Sequence, residues 1–299
     1  MYRCIMMVGL RKVMNDAIKG ILILFAITFL WGTSFPVIKI VVNDHSPFIY
    51  TGFRALFGST MLVPILIFDI AKNGLDKNSI KAGILTGIMY SLGIFFQGWG
   101  TQYTSASNSA FLTSTSVIIV LVIETLLKKK FSKEVALAGL GAVIGVYLLT
   151  DTSGDLTTGD LLVLVSALFW SLQILFISYL KFDNYNQFVS VMLLFPLVFL
   201  LSLLRKDYSA SLALSSVIWL AYLGIVVGVL SSYGQVVGQR KVSASISAII
   251  YQMEPLFAYA LSYLFLGESY SLKKGLGAII IFMSCLYASY YKVKKESQV

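Results

Sequence analysis

Two ionisable side chains interrupt long apolar stretches of this sequence and are its strongest candidates for chemistry. Glu254 lies about eleven residues into the run Ser243–Leu266. It is followed by Pro255, which removes a backbone donor and frees a carbonyl group near Tyr251. A carboxylate beside an open carbonyl can bind a proton, a cation or a substrate ammonium group. The alternative is a neutral glutamic acid that is hydrogen-bonded to neighbouring helices.

Arg54 is the second candidate. It lies about six residues, or roughly 9 Å at 1.5 Å per residue, into an apolar run that extends from Pro47 to Phe68. Its guanidinium can hold a carboxylate through two parallel hydrogen bonds. The alternative is a structural tie to helix-end carbonyls or to lipid headgroups. Charges inside a bilayer are costly, so Arg54 and Glu254 must each have either a functional or a structural role.

Tyrosine, tryptophan and glutamine residues recur within the apolar runs. Such side chains are costly in lipid unless they face protein or water, so they predict a central polar cavity. The candidates for substrate contact, together with Arg54 and Glu254, are Trp31, Tyr90, Gln97, Trp170, Tyr233, Tyr251 and Gln252, and Pro255 is the candidate gating or helix-breaking residue.

Two other ionisable residues have simpler explanations. Glu124 lies four residues before Lys128 on one helix face, which predicts a local ion pair. Lys39, near the end of the first run, is expected to extend its ammonium group outward to the aqueous face.

The residues form no catalytic constellation. Histidine is absent from the apolar runs, and Cys4 and Cys285 lack the spacing of metal ligands. We therefore expect a protein that is not an enzyme and that binds no metal and no cofactor.

The apolar runs account for nearly the whole chain. Of its 299 residues, 58% are hydrophobic and 12% are charged, against about 25% charged in soluble proteins. At about 20 residues per membrane helix, ten helices with short loops use almost all of it. Because the runs are continuous rather than alternating, they predict helices and not a barrel. The composition predicts an all-α, multi-pass protein of the cell membrane.

Ten runs define the predicted spans. The polar break Thr101–Ser109 divides the longest run, Ala82–Ile123, into spans three and four. The other spans, in order, are Gly20–Ile38, Pro47–Phe68, Val135–Thr150, Leu161–Leu180, Asn184–Leu204, Leu212–Gln239, Ser243–Leu266 and Gly275–Tyr291.

Basic residues are distributed unequally between the loops. With the N-terminus inside, 17 of the 23 Lys and Arg residues lie on the inner side. The outer side has 5, namely Lys39, Arg205, Lys206, Lys273 and Lys274. This asymmetry places both termini in the cytoplasm. The net charge of +9 is then an insertion signal facing anionic lipid, and nucleic acid is not an expected partner.

The chain contains a duplication. Ser105–Ala110 returns as Ser243–Ala248 at an offset of 138 residues, and an offset of 139 places Trp31 on Trp170. Five spans per half is an odd number, so the second half enters the membrane from the opposite side and the repeat is inverted. The predicted divisions are a tail (1–19), a first repeat (20–150), a second repeat (158–291) and a tail (292–299), with both tails cytoplasmic.

Three glycine pairs have the GxxxG spacing of close helix packing. Packing within the chain is favoured over dimerisation, so we expect a monomer or a weak homodimer. The pairs are Gly83/Gly87, Gly141/Gly145 and Gly224/Gly228.

Several motifs resemble the EamA-like branch of the drug/metabolite transporter superfamily. Each is weak alone, but their order, together with ten spans and an inverted duplication, is specific and covers nearly the whole chain. The motifs are Trp31–Phe35 with Lys39, Phe53–Ala55, Tyr103–Ala106, Glu254–Phe257 and Leu266–Glu268.

The resemblance implies a bundle of five plus five helices with alternating access to a cavity lined by spans one, three, four, six, eight and nine. Members of this family move small metabolites such as amino acids and related amphiphiles, often outward. Arg54 resembles a commonly basic family position, Glu254–Pro255 resembles the second-repeat signature, and Gly267–Glu268 resembles a helix-end turn.

The first repeat departs from the family pattern. Ser116–Val117 stands where the family often has a proline, and Lys128–Lys130 where it often has a Gly-Glu turn. Span four is therefore expected to be straighter than span nine, and a coupling ion is expected in the second half.

These observations predict a secondary transporter that exports amino-acid-like or aromatic amphipathic metabolites by alternating access. Its partners would be the metabolite, the lipid bilayer and, where transport is coupled, protons. Arg54 would hold an anionic group, and Glu254 an ammonium group or a proton. The alternative is a multidrug exporter of amphipathic cations, which would need Glu254 and aromatic faces but not Arg54. A channel or lipid scramblase is a further alternative of a different class.

Overall fold

The computed structural model describes residues 2–128, 133–149, 157–204, 212–267 and 272–296. Predicted features that lie outside the described residues include Lys129 and Lys130, the loop 151–156, Arg205 with Lys206, and Glu268. All described elements are helical, and a 3₁₀ segment (Phe195–Leu204) follows α8 while a π-helical segment (Tyr222–Leu230) joins α9 to α10. The α-helices are α1 (Tyr2–Asp44), α2 (Pro47–Asn73), α3 (Lys77–Tyr103), α4 (Ala106–Ser114), α5 (Ser116–Lys128), α6 (Lys133–Leu149), α7 (Thr158–Tyr179), α8 (Tyr185–Leu194), α9 (Leu214–Ala221), α10 (Ser231–Gln239), α11 (Ala244–Tyr251), α12 (Glu254–Leu266) and α13 (Leu272–Glu296).

These helices form the ten predicted spans. Within the described residues, eight are long and apolar enough to cross a membrane, and the fifth and tenth spans contain shorter apolar stretches, Ala136–Gly145 and Gly275–Ser284. The exposed side chains include large apolar ones, as a surface in lipid requires. Leu126 and Leu264, which are repeat counterparts, are each 70% exposed. The first span lies within a helix that already begins at Tyr2.

Polar caps define where several spans begin. The hydroxyls of Ser105 and Ser243, which open the duplicated motif, each accept a hydrogen bond from a backbone N–H three residues on. At the other end of α12, Gly267 has the left-handed conformation (φ 71°), which glycine adopts without strain, and its N–H donates to the carbonyl of Ser262.

Spans four and nine are both interrupted at equivalent positions. Span four changes from α4 to α5 at Thr115, and span nine changes from α11 to α12 at Gln252 and Met253. The absence of a proline therefore does not keep span four continuous, and the relative straightness of the two spans stays a prediction. At the break, the hydroxyls of Ser114 and Thr115 bond backward to the carbonyls of Phe111 and Leu112.

The three GxxxG pairs contact other helices of the same chain. A Cβ at Gly145 would lie 2.7 Å from the carbonyl oxygen of Gly277, and a Cβ at Gly224 would lie 2.2 Å from that of Arg54. A Cβ at Gly87 would lie 3.0 Å from the carbonyl oxygen of Met192. These glycines allow backbones to approach closely within one bundle.

Candidate functional site

A cavity lies between the two halves, at the level of the breaks in spans four and nine. Its lining comes from both repeats, and its volume is about 60 Å³. One water molecule needs at least about 10–15 Å³ of such space, so the cavity has room for more than one water. The family resemblance implied a central cavity, and a cavity in this position agrees with it.

Most of the residues singled out from the sequence lie around this space. Seven of the nine candidates line it, namely Trp31, Arg54, Tyr90, Gln97, Trp170, Tyr251 and Glu254. The other two are not among the lining residues. Tyr233 packs against a neighbouring apolar cluster. Gln252 is 1% exposed, and its side-chain amide donates to the backbone carbonyl of Ser114 in span four.

Sequence reasoning missed part of the lining. Gln173 and Gln235 form a reciprocal amide pair across spans six and eight, with N···O distances of 2.9 and 3.0 Å. The signal for Gln173 was a buried amide in an apolar run, which is the criterion that selected Gln97. The other lining residues not selected are Ser34, Thr113, Ser116, Ile174 and Val227.

The helix packing around α2 determines the position of Arg54. Its side chain is 6% exposed, and Nη1 donates to the hydroxyl of Tyr50 at 2.9 Å. The Tyr50 ring is held in turn by Gly98, where a Cβ would lie 2.4 Å from Cε1 of the ring. Gly224 allows the π-helical segment to pack against the backbone of Arg54. The guanidinium is thus held by Tyr50, while the backbone of Arg54 is packed against Gly224, and the residue borders the cavity.

Glu254 reaches the cavity because a new helix begins there. It is the first residue of α12, and its repeat counterpart Ser116 is the first residue of α5; both line the cavity. Pro255 occupies the first turn of α12, where a missing N–H costs nothing. Among the described residues, no ion pair joins Glu254 to Arg54. The cavity therefore contains an acidic and a basic side chain that do not neutralise each other directly.

Two aromatic pairs form much of the remaining wall. Trp31 and Tyr251 meet edge to face with ring centroids 4.9 Å apart, and Tyr90 and Trp170 do so at 5.5 Å. Edge-to-face contacts fix ring orientation as well as burying apolar area. The indole N–H of Trp31 donates to the hydroxyl of Ser231 at 2.7 Å.

A chain of amides extends from the cavity toward the predicted inner end. Gln235 donates to the side chain of Gln239 at 3.4 Å, and the hydroxyl of Tyr251 donates to the same oxygen at 3.1 Å. The amide group of Gln239 donates in turn to Ser178 Oγ at 2.8 Å. This network joins spans six, eight and nine below the cavity.

At the predicted outer end, Lys39 is half-buried and bonds to a neighbouring helix. Its ammonium group donates to the carbonyl oxygens of Thr101, Gln102 and Thr104 at 2.9–3.1 Å, at the C-terminal end of α3. Helix-end carbonyls offer a cation both acceptors and the negative end of the helix dipole. Because these carbonyls lie at the predicted outer end, the extension of Lys39 to the aqueous face stays a prediction.

Glu124 also has a partner that its sequence neighbours did not indicate. It is 4% exposed, and its carboxylate accepts from the hydroxyl of Tyr179 at 2.7 Å and from the N–H and hydroxyl of Ser245. It therefore binds the N-terminus of α11, where a negative charge is favoured. The side chain of Lys128, the partner predicted from spacing, lies outside the described part of the chain.

A second buried carboxylate ties the halves together at the inner end. Asp69 accepts hydrogen bonds from the amide groups of Asn73, Asn184, Asn186 and Gln187. Across the part of the chain that the structure describes, no three His, Cys, Asp or Glu residues are placed to hold a metal ion.

Comparison with known proteins gives concordant matches. Residues 18–151 and 157–290 each match the model of the EamA-like transporter family. An uncharacterized transporter of Archaeoglobus fulgidus is 28% identical over 270 residues, which cover 88% of this chain and 83% of that protein. The Bacillus subtilis uncharacterized transporters YdfC and YetK are 25% and 29% identical, over 90% and 80% of this chain and 90% and 77% of their own lengths.

The fold has a counterpart among solved structures. One crystal structure superimposes with a TM-score of 0.71 over 92% of this chain and 98% of that chain, at 14% sequence identity. At that identity the likeness concerns the fold alone.

Proposed function

The chain belongs to the EamA-like transporter family, and from this premise we propose that it is a secondary active exporter of small amino-acid-like or aromatic amphipathic metabolites. The family match covers both repeats, which makes the chain a multi-pass membrane transporter. The substrate class, the direction and the mechanism of transport are our proposal.

The proposed substrate class is supported by one observation: a basic and an acidic side chain line the same aromatic cavity. Arg54 and Glu254 both line the cavity, together with the two edge-to-face aromatic pairs. An amino acid has a carboxylate, an ammonium group and often an apolar side chain, so it complements each part of this lining. A guanidinium recognises a carboxylate through two parallel hydrogen bonds, and this is the role we assign to Arg54.

Glu254 is the proposed site of an ammonium group or a coupling proton. It lies in the second repeat, beside the break of span nine, and its counterpart in the first repeat is Ser116, which cannot ionise. A single carboxylate in the cavity can exchange a proton for the substrate ammonium group, and this exchange would couple substrate export to proton entry.

Alternating access is supported by the two breaks. Each divides a membrane span into two shorter helices at the level of the cavity, so that each segment can change its angle while its own hydrogen bonds remain. The repeat is inverted, so the same movement in the other half opens the opposite face.

A multidrug exporter of amphipathic cations is the second candidate, and the aromatic lining favours it. Trp31, Tyr90, Trp170 and Tyr251 offer four ring faces near a carboxylate, an arrangement that binds organic cations. Such a transporter would not need Arg54, so Arg54→Gln distinguishes the candidates. The variant should lose transport of carboxylates under the first proposal and keep transport of cations under the second.

The test is a melting screen of the purified protein against a metabolite library at several pH values. A ligand that binds the folded protein raises its unfolding temperature, and the effect grows with the logarithm of the ratio of ligand concentration to Kd. A hit whose effect depends on pH in the wild type, and no longer does in Glu254→Gln, supports proton coupling at Glu254. Saturable counterflow of the same compound in proteoliposomes is expected of a carrier, whereas flux that does not saturate would refute the carrier and indicate a channel.

A further inference from the structure

The two matched tryptophans have different partners, although the duplication places them at equivalent positions. Trp31 donates its indole N–H to Ser231 at 2.7 Å. The residue that corresponds to Ser231 in the first repeat, 138 positions earlier, is Gly93. Gly93 faces Trp170, the counterpart of Trp31, and it has no hydroxyl to offer. The second indole is therefore deprived of the partner that the first one has.

Contacts around Trp170 show that the ring is closely packed against this glycine. A Cβ at Gly93 would lie 3.1 Å from Cδ2 and Cε2 of the indole. The Nε1 atom of Trp170 is buried and has no hydrogen-bond acceptor within the described chain. A donor that is buried without a partner costs free energy in an apolar surrounding, so its retention needs an explanation.

A second donor without a partner lies in the same lining. Nε of Arg54 is buried and likewise unpaired among the described residues. Arg54 and Trp170 both line the cavity, and Tyr90 joins them, since it packs edge to face on Trp170 and also borders a smaller space beside Arg54. Two side chains that border one cavity, each with a donor that has no acceptor among the described residues, fit a ligand that brings an acceptor group.

We propose that the indole N–H of Trp170, and not that of Trp31, donates a hydrogen bond to an oxygen of the substrate, beside the guanidinium of Arg54. This inference rests on the proposed function and makes it more specific. The substrate class becomes compounds with a carboxylate or a similar acceptor, held at one end by Arg54 and Trp170. Trp31, whose N–H is already bonded, contributes only its ring face.

The test compares two chemically identical changes at equivalent positions. Trp170→Phe and Trp31→Phe both remove an N–H and keep an aromatic ring at the cavity. L-amino acids, phenylacetate and indoleacetate are first screened for their effect on the melting temperature. The compound that raises the melting temperature most is then used as the probe. Trp170→Phe is expected to raise the apparent Kd of that compound about tenfold or more, because a bond to a charged group is lost. Trp31→Phe also alters a ring face at the cavity but removes no bond to the substrate, so it should raise the apparent Kd several-fold less than Trp170→Phe does.

A measurement on the wild-type protein avoids dependence on the folding of the variants. The chain has four tryptophans, so ¹⁵N-labelled indole N–H signals can be assigned one by one in lipid nanodiscs. Addition of the probe should move the Trp170 signal and leave the Trp31 signal in place.

The outcomes separate the two proposals. If the probe raises the melting temperature but the Trp170 signal stays fixed, or Trp31→Phe weakens binding as much as Trp170→Phe, the role of Trp170 is refuted and the proposed function survives. If no compound changes the melting temperature or any indole signal, both proposals are refuted.

Discussion

The side-chain amide of Gln252 donates to the backbone carbonyl of Ser114 at 2.7 Å, and these two residues are repeat counterparts, 138 positions apart. Gln252 lies in the break of span nine, and Ser114 is the last residue before the break of span four. The two interruptions are therefore bonded to each other across the axis of the duplication, next to the cavity.

Gln252→Leu tests this link. The change leaves the Ser114 carbonyl without its donor in a water-poor interior, which should cost about 1–3 kcal/mol of stability. We expect a lower melting temperature in detergent and slower transport in proteoliposomes. Gln102→Leu, which alters the same type of side chain at the outer end of α3, is the control. Equal effects of the two variants would contradict a special role for the link.

Gly98→Ala should disturb Arg54 without touching it. The new methyl group would lie 2.4 Å from the ring of Tyr50, whose hydroxyl accepts the hydrogen bond of Arg54. Overpacking of this kind costs about 1–3 kcal/mol, and binding of carboxylate ligands should weaken as the guanidinium moves. The measurement is ligand affinity by melting shift.

Gly139→Ala is the matched control for that experiment. Its methyl group would lie 2.3 Å from Cδ1 of Leu121, the movable tip of a side chain, so the neighbour can turn away. Unchanged carboxylate affinity in Gly98→Ala would show that the Tyr50 contact does not position Arg54.

Glu124→Gln should weaken the attachment of α11 to the first repeat. The amide keeps one acceptor but loses the charge that binds the hydroxyl and N–H of Ser245, and hydrogen bonds to charged groups contribute about 1.5–3 kcal/mol. Thermal unfolding should occur at a lower temperature. Asp44→Asn, at the exposed end of α1, removes an equal charge and should leave stability nearly unchanged.

Acid should destabilise the loop before α3 through Asp76. The hydroxyl of Ser79 donates to its carboxylate at 2.5 Å and holds the pKa of Asp76 below the ordinary value of 3.8. Because the folded pKa is lowered, the stabilisation is complete above the ordinary value and is lost as the pH falls through the lowered one. Asp76→Asn, which still caps the helix, should show a smaller fall in melting temperature between pH 5 and pH 3, a range set by the ordinary pKa of about 3.9.

Much of the fold followed from the sequence because lipid imposes simple rules. Continuous apolar runs and the separation of basic residues predicted the spans, and the Ser-Ala-Ser duplication predicted the two halves. The break in span nine was expected from Pro255. The break in span four was not expected because this span has no proline. Its backward-bonded hydroxyls, those of Ser114 and Thr115, also have counterparts within the unbroken α2, so they give no specific signal.

Local spacing did not indicate the long-range partners of Lys39 and Glu124. Lys39 bonds residues 62 to 65 positions away, and Glu124 bonds a residue 121 positions away. The i,i+4 rule applied to Glu124 considers one helix alone, whereas the packing of helices from both repeats decides where a carboxylate finds donors. Seven of the nine candidate residues line the cavity, since any polar side chain in an apolar run must face protein or water; their contact with substrate stays a prediction.

The Gly93 and Ser231 pair has a consequence for how the two halves came to differ. In a dimer of identical half-length chains, both tryptophans would meet the same residue, and both indoles would be either bonded or unbonded. A single chain with two repeats removes that constraint. One tryptophan can hydrogen-bond within the bundle while the equivalent tryptophan keeps its N–H for a substrate. Fusion of the halves therefore permits equivalent residues to have different roles, which a symmetric dimer does not.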